Sequence, residues 1–101
     1  MTVKIYQATG NTDFDPSFMR FSIVRKAIPD LKEKLKEYYK EVYRYEEADS
    51  TNETALLEKI YMKFNIDHPE DFKGHSLSVS DIVDLDGKLY YCDAYSWEEI
   101  T

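Results

Sequence analysis

Cysteine is almost missing from this sequence: Cys92 is the single thiol in 101 residues. One thiol excludes an intramolecular disulfide and a thiolate metal cluster, and it suits a reducing compartment. Glycine and proline number three each, and no repeat, low-complexity segment or linker divides the chain, so one domain spanning residues 1–101 is expected. No apolar run is long enough to span a membrane. The stretch Met1-Thr2-Val3-Lys4-Ile5 lacks the apolar segment of a signal peptide, which predicts a cytoplasmic protein. Positive charge is also short: 13 Lys and Arg stand against 20 Asp and Glu, a net charge of −7. A chain this acidic repels free nucleic acid at long range, so no direct nucleic-acid binding is expected.

The charge is unevenly spread. Residues 20–44 carry eight basic and four acidic side chains, whereas residues 45–101 carry four basic and fourteen acidic ones. That layout favours a partner with a basic surface. It also permits a homodimer in which the basic middle of one copy meets the acidic end of another. Aromatics make up 15% of the chain, nine of them tyrosines, and help a domain of this size to fill a modest core.

The clearest local signals lie between Thr54 and Glu99. Leu56, Leu57, Ile60, Tyr61 and Phe64 fall on one side of a 3.6-residue period and predict an amphipathic helix. Ser50 or Thr51 is expected to cap it, Ser50 with Glu53 matching a capping box. Pro69 stops the helix, and Asp67–Phe72 reads as the start of a second helix of a single turn closed by Gly74. Beyond Gly74 the period becomes two: Leu77, Val79, Val83 and Leu85 share a face that Asp81 interrupts. Asp86-Gly87 predicts a type I′ hairpin that sets Leu85 opposite Lys88, Val83 opposite Tyr90, Asp81 opposite Cys92 and Val79 opposite Ala94.

Earlier in the chain, residues 3–8 alternate as a strand, and Thr9–Ser17 reads as loop. Phe18–Val24 is compatible with a strand or a helical turn. Pro29 to about Tyr39 reads as a helix with Ile28, Leu31, Leu35 and Tyr38 or Tyr39 inward, followed by a short strand near Val42–Tyr45. The expected fold is a single α+β domain, with about four mainly antiparallel strands (near 3–8, 41–46, 78–85 and 88–95). Two longer helices pack on this sheet, which ends in a C-terminal β-hairpin.

Phe64-Asn65, Pro69-Glu70-Asp71-Phe72, Gly74-His75-Ser76-Leu77-Ser78-Val79-Ser80-Asp81 and Tyr90-Tyr91-Cys92-Asp93 together resemble the YodL-like family. The match is dense over the last half of the chain. One departure is Ala94-Tyr95-Ser96-Trp97, where the family usually carries a serine-phenylalanine-glycine-phenylalanine ending. The resemblance implies a protein of Firmicutes, commonly encoded on conjugative or phage-like DNA, with no established enzymatic activity.

Chemistry-bearing residues are few. His75, Asp81 and Cys92 could form a base, an orienting acid and a thiol nucleophile, but no oxyanion-hole glycine run or paired acid–base site accompanies them. His68 and His75 with Asp67, Asp71 and Asp81 match no usual zinc spacing. Neither a catalytic residue, a metal ligand nor a cofactor site is therefore assigned. Asp81, if buried, must be hydrogen-bonded, and Ser or backbone N–H groups near Gly74–Ser78 are the expected donors. Trp97 is either a lid over the core or a contact anchor.

The residues expected to meet a partner are Asp84, Asp86, Asp93, Trp97, Glu98 and Glu99. The four acids other than Asp93 are expected at the hairpin tip and chain end, facing water; Asp93 joins them where its strand face is exposed. The expectation is a non-enzymatic acidic protein that inhibits a host nucleic-acid defence machine, such as a CRISPR effector nuclease or a restriction system, by mimicking phosphate. An effect on the bacterial actin-like cytoskeleton and cell shape is the alternative, and a small Cys/His hydrolase ranks third.

Overall fold

In the computed structural model, which describes all 101 residues, five strands form one antiparallel sheet in the order β2-β1-β3-β4-β5. In chain order the elements are β1 (Thr2–Ala8), α1 (Phe21–Ala27), α2 (Leu35–Tyr38), β2 (Tyr39–Glu46), α3 (Glu53–Ile66), β3 (Ile82–Leu85), β4 (Lys88–Cys92) and β5 (Trp97–Ile100). The alternation of side chains sorts the core into two layers. Val3, Ile5, Val83, Leu85 and Tyr90 face α3 and meet Leu56, Leu57, Ile60 and Phe64 there, with Phe72 and Leu77. Tyr6, Ile82, Leu89, Tyr91 and Ile100 face the other way, onto Val24, Ile28, Leu31, Leu35 and Tyr39. Both faces of the three inner strands are thus covered, which explains the apolar residues on both sides of β4.

α3 buries the face that its period marks, and Tyr61 lies at the margin, 37% exposed. Its cap differs from expectation. Asn52 Oδ1 accepts the Ala55 N–H at 3.0 Å, in place of the Ser50 or Thr51 cap. Asp67–Phe72 makes one turn, Phe72 N–H bonding Pro69 O at 3.0 Å, and does not become a helix. The β3–β4 hairpin has the expected register, Leu85 opposite Lys88 and Val83 opposite Tyr90. Asp86 and Gly87 both hold positive φ, 50° and 95°, as a type I′ turn requires.

Three further expectations change. The sheet has five strands because β5 folds back on β4, with Trp97 opposite Cys92 and Ile100 opposite Leu89. The strand expected from residue 78 starts at Ile82, because Ser80 turns the chain with φ 87°, which takes Val79 out of the ladder. The helix expected from Pro29 to Tyr39 breaks up: α1 ends at Ala27, turns follow, and only Leu35–Tyr38 is helical. Pro29 cannot donate the N–H that would carry α1 onward. Tyr39 must already be extended to pair with Ala8 and begin β2. The inward residues of this segment, Ile28, Leu31, Leu35 and Tyr39, are nevertheless buried as expected.

Candidate functional site

Two regions carry polar or exposed aromatic groups that the fold alone does not require. The first lies where β1 ends beside the start of β3. Val3, Ile5 and Gln7 share the α3-facing side of β1, and Leu85, Val83 and Asp81 continue the matching side of β3. Each apolar alternation therefore ends in a polar residue at the same level. Gln7 is 2% and Asp81 1% exposed. The Gln7 amide donates to His75 O at 2.8 Å and to Asp81 Oδ2 at 3.1 Å, while its Oε1 accepts the His75 N–H at 3.2 Å. These three bonds fix which way the amide points. Asp81 Oδ2 also accepts the Ser78 N–H at 2.9 Å, the backbone partner expected of a buried carboxylate here.

Asp81 Oδ1 has no hydrogen-bond partner, and its nearest cation-forming neighbour is His75 Nε2 at 3.8 Å. Burial pushes the Asp81 carboxyl up to about 7, against the opposing pull of the Ser78 N–H, His75 and Gln7. With both Gln7 N–H groups committed, the 2.7 Å contact of His75 Nδ1 with Ser76 O places a proton on Nδ1. Nε2 is left as the ring atom facing Asp81. Gly74 is required for this packing: a Cβ there would lie 2.5 Å from Gln7 Oε1 and 2.9 Å from the Phe72 ring.

The surrounding backbone is strained to hold this arrangement. Phe18 and Ser80 are non-glycine residues in the left-handed region, at φ 61° and 87°, a conformation that costs each about 1–2 kcal/mol. Ser80 Oγ accepts the Phe18 N–H at 2.8 Å, and Ser80 O accepts the buried Tyr39 hydroxyl at 2.6 Å. Phe18 is left 66% exposed with its ring 5.7 Å from that of His75.

The second region is the free edge of β5. Trp97 is half-buried and meets Tyr61 of α3 edge-on, with ring centres 6.5 Å apart. Beside them a depression of about 240 Å³ is lined by Glu58, Asp93, Tyr95 and Ser96, with Cys92 at its wall. Tyr95 is 93% exposed. The carboxylates here and on β5 are Glu58, Asp93, Glu98 and Glu99, and Glu98 and Glu99 are exposed.

The six residues expected to meet a partner do not form one surface. Trp97, Glu98 and Glu99 share β5, but their side chains alternate between its two faces. Asp93 Oδ1 accepts the N–H groups of Phe21, at 3.2 Å, and Ala94, at 2.9 Å, so it supplies from a distance the cap that α1 lacks locally. Asp86 is exposed at the hairpin tip and accepts the Thr2 N–H at 2.8 Å. Asp84 corrects the expectation of a water-facing carboxylate. It is 8% exposed and accepts the Gly87 N–H at 2.6 Å, which ties it to the turn.

The thiol arrangement is not assembled. Asp81 and Cys92 are cross-strand neighbours, with Cys92 N–H bonding Asp81 O at 2.8 Å, but Asp81 gives its bonding oxygen to Gln7 and Ser78. Cys92 is buried and its thiol is pushed up to about 12, first by burial and then by the Asp81 charge, so no thiolate forms near neutrality. No three His, Cys, Asp or Glu side chains converge on a point where they could hold a metal ion. His68 bonds Pro69 O at 3.0 Å and stays apart from His75. No helix is long and apolar enough to cross a membrane.

Sequence reasoning named Asp81 and its donors but missed Gln7. The signal available was its position: an amide in the third inward place of β1, level with the acid that interrupts β3. No curated protein and no solved structure matches the chain significantly. The family model described as the YodL-like domain matches residues 2–101, including the first half of the chain where the motif resemblance was thin. The chain therefore belongs to the YodL-like domain family.

Proposed function

We propose that the protein is a non-catalytic interaction module that sets its β5 edge against a basic surface of a protein partner. The observation that carries this reading is the meeting of partly exposed aromatic rings (Tyr61, Tyr95 and Trp97) with acidic side chains at a free sheet edge. A half-buried tryptophan backed by tyrosine offers the rigid amphipathic area that anchors contacts. The carboxylates of Glu98 and Glu99 would attract Lys and Arg, speeding association and opposing wrong partners more than deepening affinity.

The setting that the family resemblance implies, mobile DNA, suggests which basic surface. The partner proposed is a host nucleic-acid defence machine in the cytoplasm, a CRISPR effector ribonucleoprotein or a restriction enzyme, whose phosphate-binding groove the carboxylates would occupy. The high Cys92 pKa and the commitment of Asp81 Oδ2 to Gln7 and Ser78 support a role without covalent chemistry.

The test is binding to a purified effector ribonucleoprotein at low and high salt, with the wild type and the Glu98→Lys/Glu99→Lys variant. Binding should weaken steeply with salt and again on charge reversal, together with inhibition of cleavage. Undiminished inhibition by the folded double variant would rule out the acidic edge. Rounding or swelling of cells on expression, without capture of the effector, would favour the cytoskeletal reading instead.

A further inference from the structure

We infer that the depression between the end of β1, the start of β2 and the Lys73–His75 loop binds a phosphate-bearing small molecule. This hollow of about 360 Å³ is lined by Gln7, Lys40, Lys73, Gly74 and His75, and every charged or ionisable group in its wall is a base. In a chain of net charge −7 that is an unusual local sign. Neither lysine is neutralised: the Lys and Arg ion pairs of the protein are made by Lys34, Arg44, Lys59 and Lys88. The N–H groups of Lys73 and Gly74 also lack acceptors within the chain, whereas that of His75 is held by Gln7.

Two ammonium groups, free backbone N–H donors and an imidazole suit the several acceptor oxygens and near-dianionic charge of a phosphate monoester. The floor is rigid. Gln7 makes three hydrogen bonds to the loop and Asp81, and Gly74 lies too close to Gln7 to carry a side chain. Lys40 stands opposite Gln7 in the β1–β2 ladder, so the sheet itself aims that lysine over the hollow. Asp81, 3.8 Å from His75 Nε2, is not part of the lining, is 1% exposed and is held towards its neutral form by burial. Phe18, exposed and with its ring tilted 5.7 Å from that of His75, offers a face for an aromatic group carried on the phosphate ester.

This site lies away from the β5 edge, and its test does not depend on the partner proposed there. The isotope-labelled full-length protein is titrated with inorganic phosphate and, separately, with a nucleoside monophosphate, at constant ionic strength, following the amide resonances. Saturable shifts centred on Gly74 and His75 are expected for both, with the two ligands competing. The Lys40→Glu/Lys73→Glu variant alters exposed positions only and should fold; its binding should fall at least tenfold. Phe18→Ala tells the sources apart: weaker binding of the nucleotide alone identifies a phosphate ester that carries an aromatic group, and equal binding throughout identifies the phosphate group by itself. Shifts that do not saturate, that spread over other lysines, or that persist unchanged in the folded double variant would overturn the proposal.

Discussion

At the Gln7–Asp81 end of the sheet, an amide and a carboxylate lie inside the protein, and the Gln7 amide and Asp81 Oδ2 are committed to neighbours. At the β5 edge, Glu98 and Glu99 stand in water and an aromatic group is only half covered. Changing a committed buried group leaves its partners unpaired and costs stability. Changing an exposed charge costs little stability and alters what the surface attracts. The difference separates a part of the molecule that holds its own shape from a part free to be used by something else.

The largest effect should come from Gln7→Ala. It strips Asp81 Oδ2 and the backbone of His75 of buried partners, and a loss of about 2–4 kcal/mol is expected in chemical denaturation. A loss below about 0.5 kcal/mol would mean that water replaces the amide and that this end is not a closed unit. Gly87→Val follows, at about 1–3 kcal/mol, because a β-branched residue resists positive φ. An unchanged melt would show that the turn relaxes out of its type I′ form.

The third prediction concerns pH. The folded protein holds the Asp81 carboxyl above its unfolded value, so its favourable contribution is complete below about pH 4. That contribution is lost as pH rises towards about 7. Asp81→Asn keeps an oxygen for Gln7 and Ser78 and removes this ionisation. Relative to the wild type, the variant should therefore gain in thermal stability between pH 4 and pH 8. Parallel melting curves for the two proteins over that range would place the Asp81 proton elsewhere. The smallest stability effect belongs to Glu98→Lys/Glu99→Lys, at about 0–1 kcal/mol. A larger loss would show that these carboxylates hold β5 in place, and would erase the contrast between the two ends. Asp84 does not belong in such a variant, because reversing it would also break its bond to Gly87.

What could be read beforehand depended on how local the cause was. α3 follows from five apolar residues at helical spacing, and the β3–β4 register from Asp86-Gly87, since the positive-φ requirement acts within two residues. β5 was missed because four residues with inward positions at Trp97 and Ile100 carry too little alternation to mark a strand. The break-up of the 29–39 segment was missed because the demand on Tyr39 comes from Ala8, thirty-one positions earlier in the chain.

The sequence by itself determined the fold class, the inward face of α3 and the hairpin, which rest on spacing and on backbone chemistry near the residue concerned, and its motifs carried the resemblance to the YodL-like family. Only the tertiary structure decided that Asp84 is buried, that Asp93 caps α1 and that Gln7 lies against Asp81. It also set Lys40, Lys73 and His75 around one hollow. Each of these depends on strands and loops tens of residues apart being brought together by the sheet, and residue spacing along a chain carries no record of which distant backbone groups will need a partner.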